Sequence, residues 1–143
     1  MFSKACQYGL KAVIFIGKES AKGNKVGVNE IADAIDSPKA FTSKVLQSLS
    51  KKKIVSSIKG PYGGFYINKE VSVSTSLSEI VKIIDGDKVY TACLLGFNSC
   101  NKEKPCPMHD RFAEIRENLK KKLETTTVQL LIDEIGLDLF NFK

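Results

Sequence analysis

Ile54-Val55-Ser56-Ser57-Ile58-Lys59-Gly60-Pro61-Tyr62-Gly63-Gly64-Phe65-Tyr66-Ile67-Asn68 is the stretch whose reading decides the fold. Two runs rich in β-branched and aromatic residues, 54–58 and 65–68, flank a segment dense in turn formers. That pattern predicts a β-hairpin. Its tip carries a cation, Lys59, and an aromatic, Tyr62; Gly60, Gly63 and Gly64 let the backbone approach a phosphate or a groove closely.

What precedes the hairpin gives it a meaning. Residues 4–20 read as a helix, with Ala5, Tyr8, Ala12, Phe15 and Ile16 on one side, broken by Lys22-Gly23-Asn24-Lys25. Val26-Gly27-Val28 is a short extended link. Asn29 is a suitable N-cap for a helix over 30–35 with Ile31, Ala32 and Ile35 as its apolar stripe. Asp36-Ser37-Pro38 then stops one helix and starts the next: Ser37 can cap, Pro38 suits the first helical position, and Phe41, Val45, Leu46 and Leu49 recur at helical spacing to about Lys52. Two short helices joined by a tight turn are a helix-turn-helix. The opposite face of the second carries Lys39, Thr42, Ser43, Lys44 and Gln47, donor-rich side chains of the kind that reach base edges and phosphates in a major groove. A solvated amphipathic helix would share this pattern in isolation. The order of helix, helix-turn-helix and basic glycine-rich hairpin is much more specific, and it predicts a mainly α fold with a small β-hairpin wing that binds double-stranded DNA.

Charge supports that division of labour. Residues 1–70 carry 12 Lys and Arg against 5 Asp and Glu, net +7, whereas residues 71–143 carry 10 against 11, net −1. The basic half suits a polyanion; the near-neutral half suits another task. The expected organisation is a DNA-binding region over 1–75 and a second region over 76–143, the two forming one compact unit. Ser76-Leu77-Ser78-Glu79 is a capping box opening a helix with Leu77, Ile80, Val81 and Ile84 that closes at Asp85-Gly86. From about Pro107 to Lys122 or beyond, Met108, Phe112, Ile115, Leu119 and Leu123 mark a long helix, expected to pair with a second copy as two-fold DNA readers do. Thr127 caps a last short helix, and the apolar tail 137–143 is expected to dock on a neighbour.

Between these helices lies the second informative stretch, Cys93-Leu-Leu-Gly-Phe-Asn-Ser-Cys100-Asn-Lys-Glu-Lys-Pro-Cys106-Pro-Met-His109. Three of the four cysteines and the only histidine fall here, with six, five and two residues between them. Thiolate and imidazole are the ligands that soft and borderline metals prefer. Cys106 and His109 stand three apart at a helix start, where the N-terminus favours thiolate. The set suits an iron–sulfur cluster of the 2Fe–2S or 4Fe–4S type, or a zinc ion, although the spacing is not the paired ribbon typical of zinc. Unligated cysteines in a loop, or a regulatory disulfide, are the alternatives. The chain has no run of eighteen apolar residues and no signal-peptide pattern, so a cytoplasmic, membrane-free location is expected, where thiols stay reduced or metal-bound. One histidine, no nucleophile motif and no phosphate-cradling loop beyond the wing argue against an enzyme, including a small electron-transfer protein.

Taken together, Ser3-Lys4-Ala-Cys-Gln-Tyr8-Gly-Leu-Lys-Ala12, Ile31-Ala32 with the Phe41-to-Leu49 helix, Lys59-Gly60-Pro61-Tyr62-Gly63-Gly64, and Cys93, Cys100, Cys106 and His109 before a long helix resemble the IscR/NsrR/RirA family of bacterial winged-helix transcription regulators over essentially the whole chain. The resemblance implies a homodimer on a palindromic operator, acting as a repressor or dual regulator. Each loop would hold an iron–sulfur cluster that senses cluster supply, iron, nitric oxide or redox state. The first gap in the loop is six residues where many relatives have five. Some relatives take a fourth ligand from an acidic residue in the first helix of the other subunit, and Gln7 stands there; others use a histidine three residues after the last cysteine, which His109 matches. His109 is therefore the preferred fourth ligand, and Cys6 is read as a buried free thiol rather than a ligand across the dimer.

Overall fold

The computed structural model describes residues 2–93, 95–97 and 103–135. Helix α1 (Lys4–Ala21) opens where the Ser3 hydroxyl accepts the Cys6 N–H at 3.0 Å, and it stops where Gly23 turns to φ +82°. Helix α2 (Val28–Ile35) begins earlier than Asn29 would allow as its cap: Gly27 is the N-cap, and the Glu30 carboxylate accepts the Gly27 N–H at 3.4 Å. Asp36 in the left-handed region (φ 54°) ends it. Helix α3 (Lys39–Lys51) follows, and Pro38 is its N-cap rather than its first residue, with extended ψ of 133°. Ser37 is left to meet the Thr42 hydroxyl, which donates to the Pro38 carbonyl at 2.8 Å and closes the first turn.

The hairpin is present and shorter than its apolar runs. Strands β1 (Ser56–Ile58) and β2 (Gly64–Tyr66) pair antiparallel with Ser57 opposite Phe65. Ile54, Val55 and Ile67 leave the ladder because burial in the core, at 7, 2 and 5 % exposure, competes with pairing. In the turn, Gly63 donates to the Gly60 carbonyl at 3.0 Å, and a Cβ on Gly63 would lie 2.0 Å from the Ile58 carbonyl oxygen. Gly64 sits at φ +145°, and there a Cβ would lie 2.9 Å from the Val26 backbone. That closeness is used: Val26 and Phe65 exchange two backbone hydrogen bonds, of 3.1 and 2.7 Å. The link before α2 thus serves as a third, one-residue rung of the wing sheet.

The second half contains α4 (Lys69–Ser74), α5 (Leu77–Asp85), α6 (Lys88–Thr91), α7 (His109–Thr125) and α8 (Val128–Glu134). Helices α4 and α6 are too short for apolar periodicity to reveal them. The caps expected at Ser76 and Thr127 form, accepting from Glu79 and Leu130 at 3.3 and 3.1 Å. The two helix starts are tied together by Leu77 N–H to Thr126 O and Val128 N–H to Thr75 O, at 2.9 and 3.0 Å. The fold is therefore mainly helical with a two-stranded wing, as the sequence predicts.

One core joins both halves: Val13 and Ile16 of α1, Ile31 and Ile35 of α2 and Leu46 and Leu49 of α3 cluster with Ile80 of α5 and Val128 of α8. Gly9 and Gly17 let α5 and α8 come close, since Cβ atoms there would lie 2.2 Å from Ile84 and 2.4 Å from Ile132. A smaller cluster of Cys6, Val81, Val89 and Leu123 carries the far end of α7. The long helix starts two residues later than Pro107 because Cys106 to His109 form a turn, with the His109 N–H donating to Cys106 O at 3.0 Å. Its apolar stripe divides: Leu123 is buried and Leu119 half-buried against α5 and α6, whereas Ile115 is 51 % exposed. The tail beyond Ile135, whose docking the sequence predicts, lies outside the described residues.

At the junction, Asp85 accepts the Ser3 N–H at 3.0 Å, meets the Ser3 hydroxyl, and faces the Cys6 thiol. Burial first, then the charge of Asp85 and its hydrogen bond, push the Cys6 thiol up from 9.0 to about 12. The folded state thus favours the neutral thiol, and its contribution to stability is full below pH 9 and lost as pH rises toward 12. Urea denaturation across that window should show a decline that Cys6→Ala reduces. Leu46→Ala, at a fully buried site, should cost about 2–5 kcal/mol in the same assay.

Candidate nucleic-acid interface and cysteine loop

Helix α3 turns Val45, Leu46 and Leu49 inward, so its outer face is set by default. Lys39, Lys44 and Gln47 are exposed there and Ser43 is half-exposed. Thr42 is not available for DNA contact: it is 1 % exposed and its hydroxyl is committed to Pro38 and Ser37. Phe41, expected in the core stripe, is instead 38 % exposed and meets Tyr8 edge-on with ring centroids 5.7 Å apart. On the wing, Lys59 and Gly60 are exposed, Gly63 is half-buried, and Tyr62 stands 95 % exposed at the tip. Neither 39–51 nor 56–66 contains a single Asp or Glu, so nothing within either segment repels a phosphate.

Two residues that position the wing escape a sequence reading. The Ser20 hydroxyl at the end of α1 accepts the Ile67 N–H at 2.9 Å, and Val26 pairs with Phe65. Lys25 also lies over the Tyr66 ring, 5.6 Å from its centroid. These pairings join residues far apart along the chain, beyond the reach of any local motif.

The cysteine loop leaves α6 at Cys93 and returns to α7 through Cys106. Both thiols are free and half-buried, and they lie within hydrogen-bond reach of each other. The Phe97 N–H holds the Cys93 thiol below its ordinary 9.0; burial opposes the shift, while Leu95, the Cys106 thiol and Gly96 add to it. Backbone N–H groups aimed at a sulfur stabilise it as thiolate. His109 follows one turn after Cys106 and is half-buried beside Tyr90, Thr91 and Arg116. Cys100 lies outside the described residues, and among those described no three ligand-type side chains gather at one point. Soft thiols are two of the roughly four donors that an iron–sulfur cluster or a zinc ion takes. Cys6 does not join them, being fully buried beside Asp85, and the Gln7 amide donates to Phe2 O at 3.1 Å. Both ends of the loop are held by α7: Cys106 by the His109 turn, and Ala92 by the Arg116 guanidinium, which donates to its carbonyl at 3.0 Å.

Comparison with known proteins agrees with this anatomy. The family model described as Rrf2, iron-dependent transcriptional regulator, matches residues 2–134. A protein of Aquifex aeolicus described as an HTH-type transcriptional regulator is 31 % identical over 135 residues, covering 93 % of this chain and 92 % of its own. The HTH-type transcriptional regulator IscR of Klebsiella pneumoniae is 24 % identical over 127 residues, covering 89 % and 76 %. The solved structure of CymR, the global cysteine regulator of B. subtilis, shares the fold with a TM-score of 0.73 at 20 % identity, over 93 % of this chain and 96 % of that one. Among the described residues no helix is long and apolar enough to cross a membrane.

Lys44→Ala should weaken duplex binding and lower the slope of log K against log salt by about 1, the value for one phosphate no longer neutralised. Fluorescence anisotropy at several salt concentrations measures both, and circular dichroism should be unchanged because Lys44 is exposed.

Proposed function

Because the chain belongs to the Rrf2 family of transcriptional regulators, we propose that it acts as a homodimeric, operator-binding repressor whose affinity is set by an iron–sulfur cluster held on the 93–109 loop. The observation that carries this reading is the meeting of Cys93 and Cys106 under backbone N–H donors, with His109 one turn away at the head of α7. Cys93, Cys100 and Cys106 would be the thiolate ligands and His109 the fourth. A bound cluster would supply sensitivity to iron, oxidants or nitric oxide.

The chain's own residues do the rest. Lys39, Ser43, Lys44 and Gln47 enter the major groove, and Lys59, Gly60, Tyr62 and Gly63 meet the backbone beside it. A second copy covers the exposed apolar edge at Ile115, which is 51 % exposed on α7. Since α7 holds both Ala92 and the Cys106 turn, a change in the loop's conformation shifts α7 and the separation of two recognition helices. Every base that a recognition helix ceases to read after that shift costs about 1–3 kcal/mol of affinity.

The proximity of Cys93 and Cys106 also favours a second reading, a cluster-free thiol switch closing as a disulfide. Anaerobic purification separates the two. A brown protein whose visible absorption disappears in Cys93→Ser, Cys100→Ser and Cys106→Ser, with helical content retained, is the expected outcome. A colourless protein holding zinc or no metal contradicts the cluster.

A further inference from the structure

Tyr62 is the most exposed large hydrophobic side chain among the described residues, at 95 %, and it stands at the tip of the wing. An exposed aromatic on a turn is ordinary; this one is mounted rigidly. The Gly63 N–H donates to the Gly60 carbonyl at 3.0 Å, closing a turn whose central residues are Pro61 and Tyr62. Pro61 fixes its own φ, and Gly60, at φ +109°, takes a conformation that a side chain would strain. A Cβ on Gly63 would fall 2.0 Å from the Ile58 carbonyl oxygen, and one on Gly64 would meet the Val26 backbone at 2.9 Å. At its base the wing is held by two Val26–Phe65 hydrogen bonds, of 3.1 and 2.7 Å, and by the Ile67 N–H on the Ser20 hydroxyl at 2.9 Å. The aromatic is thus carried on a stiff arm, and ordering it on contact costs little beyond two side-chain torsions.

The tip is also narrow. From Gly60 to Gly64 only Pro61 and Tyr62 carry side chains. A two-stranded ribbon fills a major groove, whereas the minor groove, about 6 Å wide, admits only a slender tip of this kind. Lys59 stands exposed at the entry and 56–66 holds no Asp or Glu, so the local field attracts the phosphates that border that groove. Apolar faces that enter a minor groove part neighbouring base pairs and kink the duplex, and the cost is lowest at pyrimidine–purine steps. We propose that Tyr62 is a wedge: its ring enters the minor groove beside the half-site and lodges between two base pairs, so that the wing reads the deformability of that step rather than its base edges. The inference rests on the reading of α3 and the wing as the DNA reader, to which it adds a specificity-determining residue. Lys59 stays on the phosphates. The ring rather than the hydroxyl makes the contact, because stacking on a base needs only a π face.

The test uses the intact chain in its native assembly and duplexes that it selects from a random-sequence pool. Wild-type protein should enrich a pyrimidine–purine step at a fixed distance outside each half-site, and Tyr62→Ala should select the same half-site without that step. On the wild-type duplex, energy transfer between dyes at the two ends should report a kink with wild type and with Tyr62→Phe, and a straighter duplex with Tyr62→Ala. Tyr62→Ala should bind that duplex about tenfold more weakly, the loss of one base–aromatic contact. The slope of log K against log salt should not change, since no charge is removed. Thermal melting should not move either, because Tyr62 lies outside the core. Identical flanks selected by the two proteins, an equal kink with Tyr62→Ala, or Tyr62→Phe behaving as Tyr62→Ala overturns the wedge. If wild type enriches no duplex in either the cluster-bound or the cluster-free state, the DNA reading itself fails, whereas enrichment without the kink removes the wedge alone.

Discussion

The burial of α1 between the two halves of the chain is the constraint on which the rest depends. Val13 and Ile16 lie in one cluster with residues of α2, α3, α5 and α8, and Gly9 and Gly17 remove the side chains that would hold α5 and α8 away. Closely packed interiors transmit displacement rather than absorbing it. The recognition helix, the base of the wing and the helix leading to the cysteine loop are therefore parts of one packed body. The contact of Asp85 with Ser3 and Cys6 joins the start of α1 to the end of α5, a few residues ahead of that loop.

On the proposed reading, this arrangement lets a sensor and a DNA reader share one chain. The reader needs a rigid spacing between α3 and the wing, supplied by Val26 on Phe65 and Ser20 on Ile67. The proposed sensor needs a segment held at its ends, and Arg116 and the His109 turn tie the two ends of the loop to α7. The exposed part of α7, around Ile115, is the apolar edge that the proposed second copy would cover. On the proposed reading, change in the loop would be passed along α7 toward the contact with a second copy.

Much of this was legible in the sequence. Helix spacing in 4–20, 39–51 and 77–85, the caps at Ser76 and Thr127 and the turn chemistry of 59–64 all rest on local rules, and the elements formed where those rules pointed. Local rules failed where tertiary contacts competed. Ile54, Val55 and Ile67 were strand-like by composition yet went to the core; Gly27 displaced Asn29 as a cap; Thr42 turned inward to close its own helix. The short helices α4 and α6 have too few turns for periodicity. In the candidate site the sequence showed which residues could ligate a metal, but the meeting of Cys93 with Cys106 and the Arg116 clamp depend on how α6 and α7 pack.

The most direct measurement of the central claim is operator affinity in two states of one preparation. Anaerobically purified protein is titrated with a fluorescent palindromic duplex at fixed salt, before and after the cluster is removed by chelation under reducing conditions. The predicted result is a brown starting protein and an affinity that changes by about tenfold or more, the equivalent of reading one base more or fewer. Identical affinity in the two states would show that the loop does not control DNA binding.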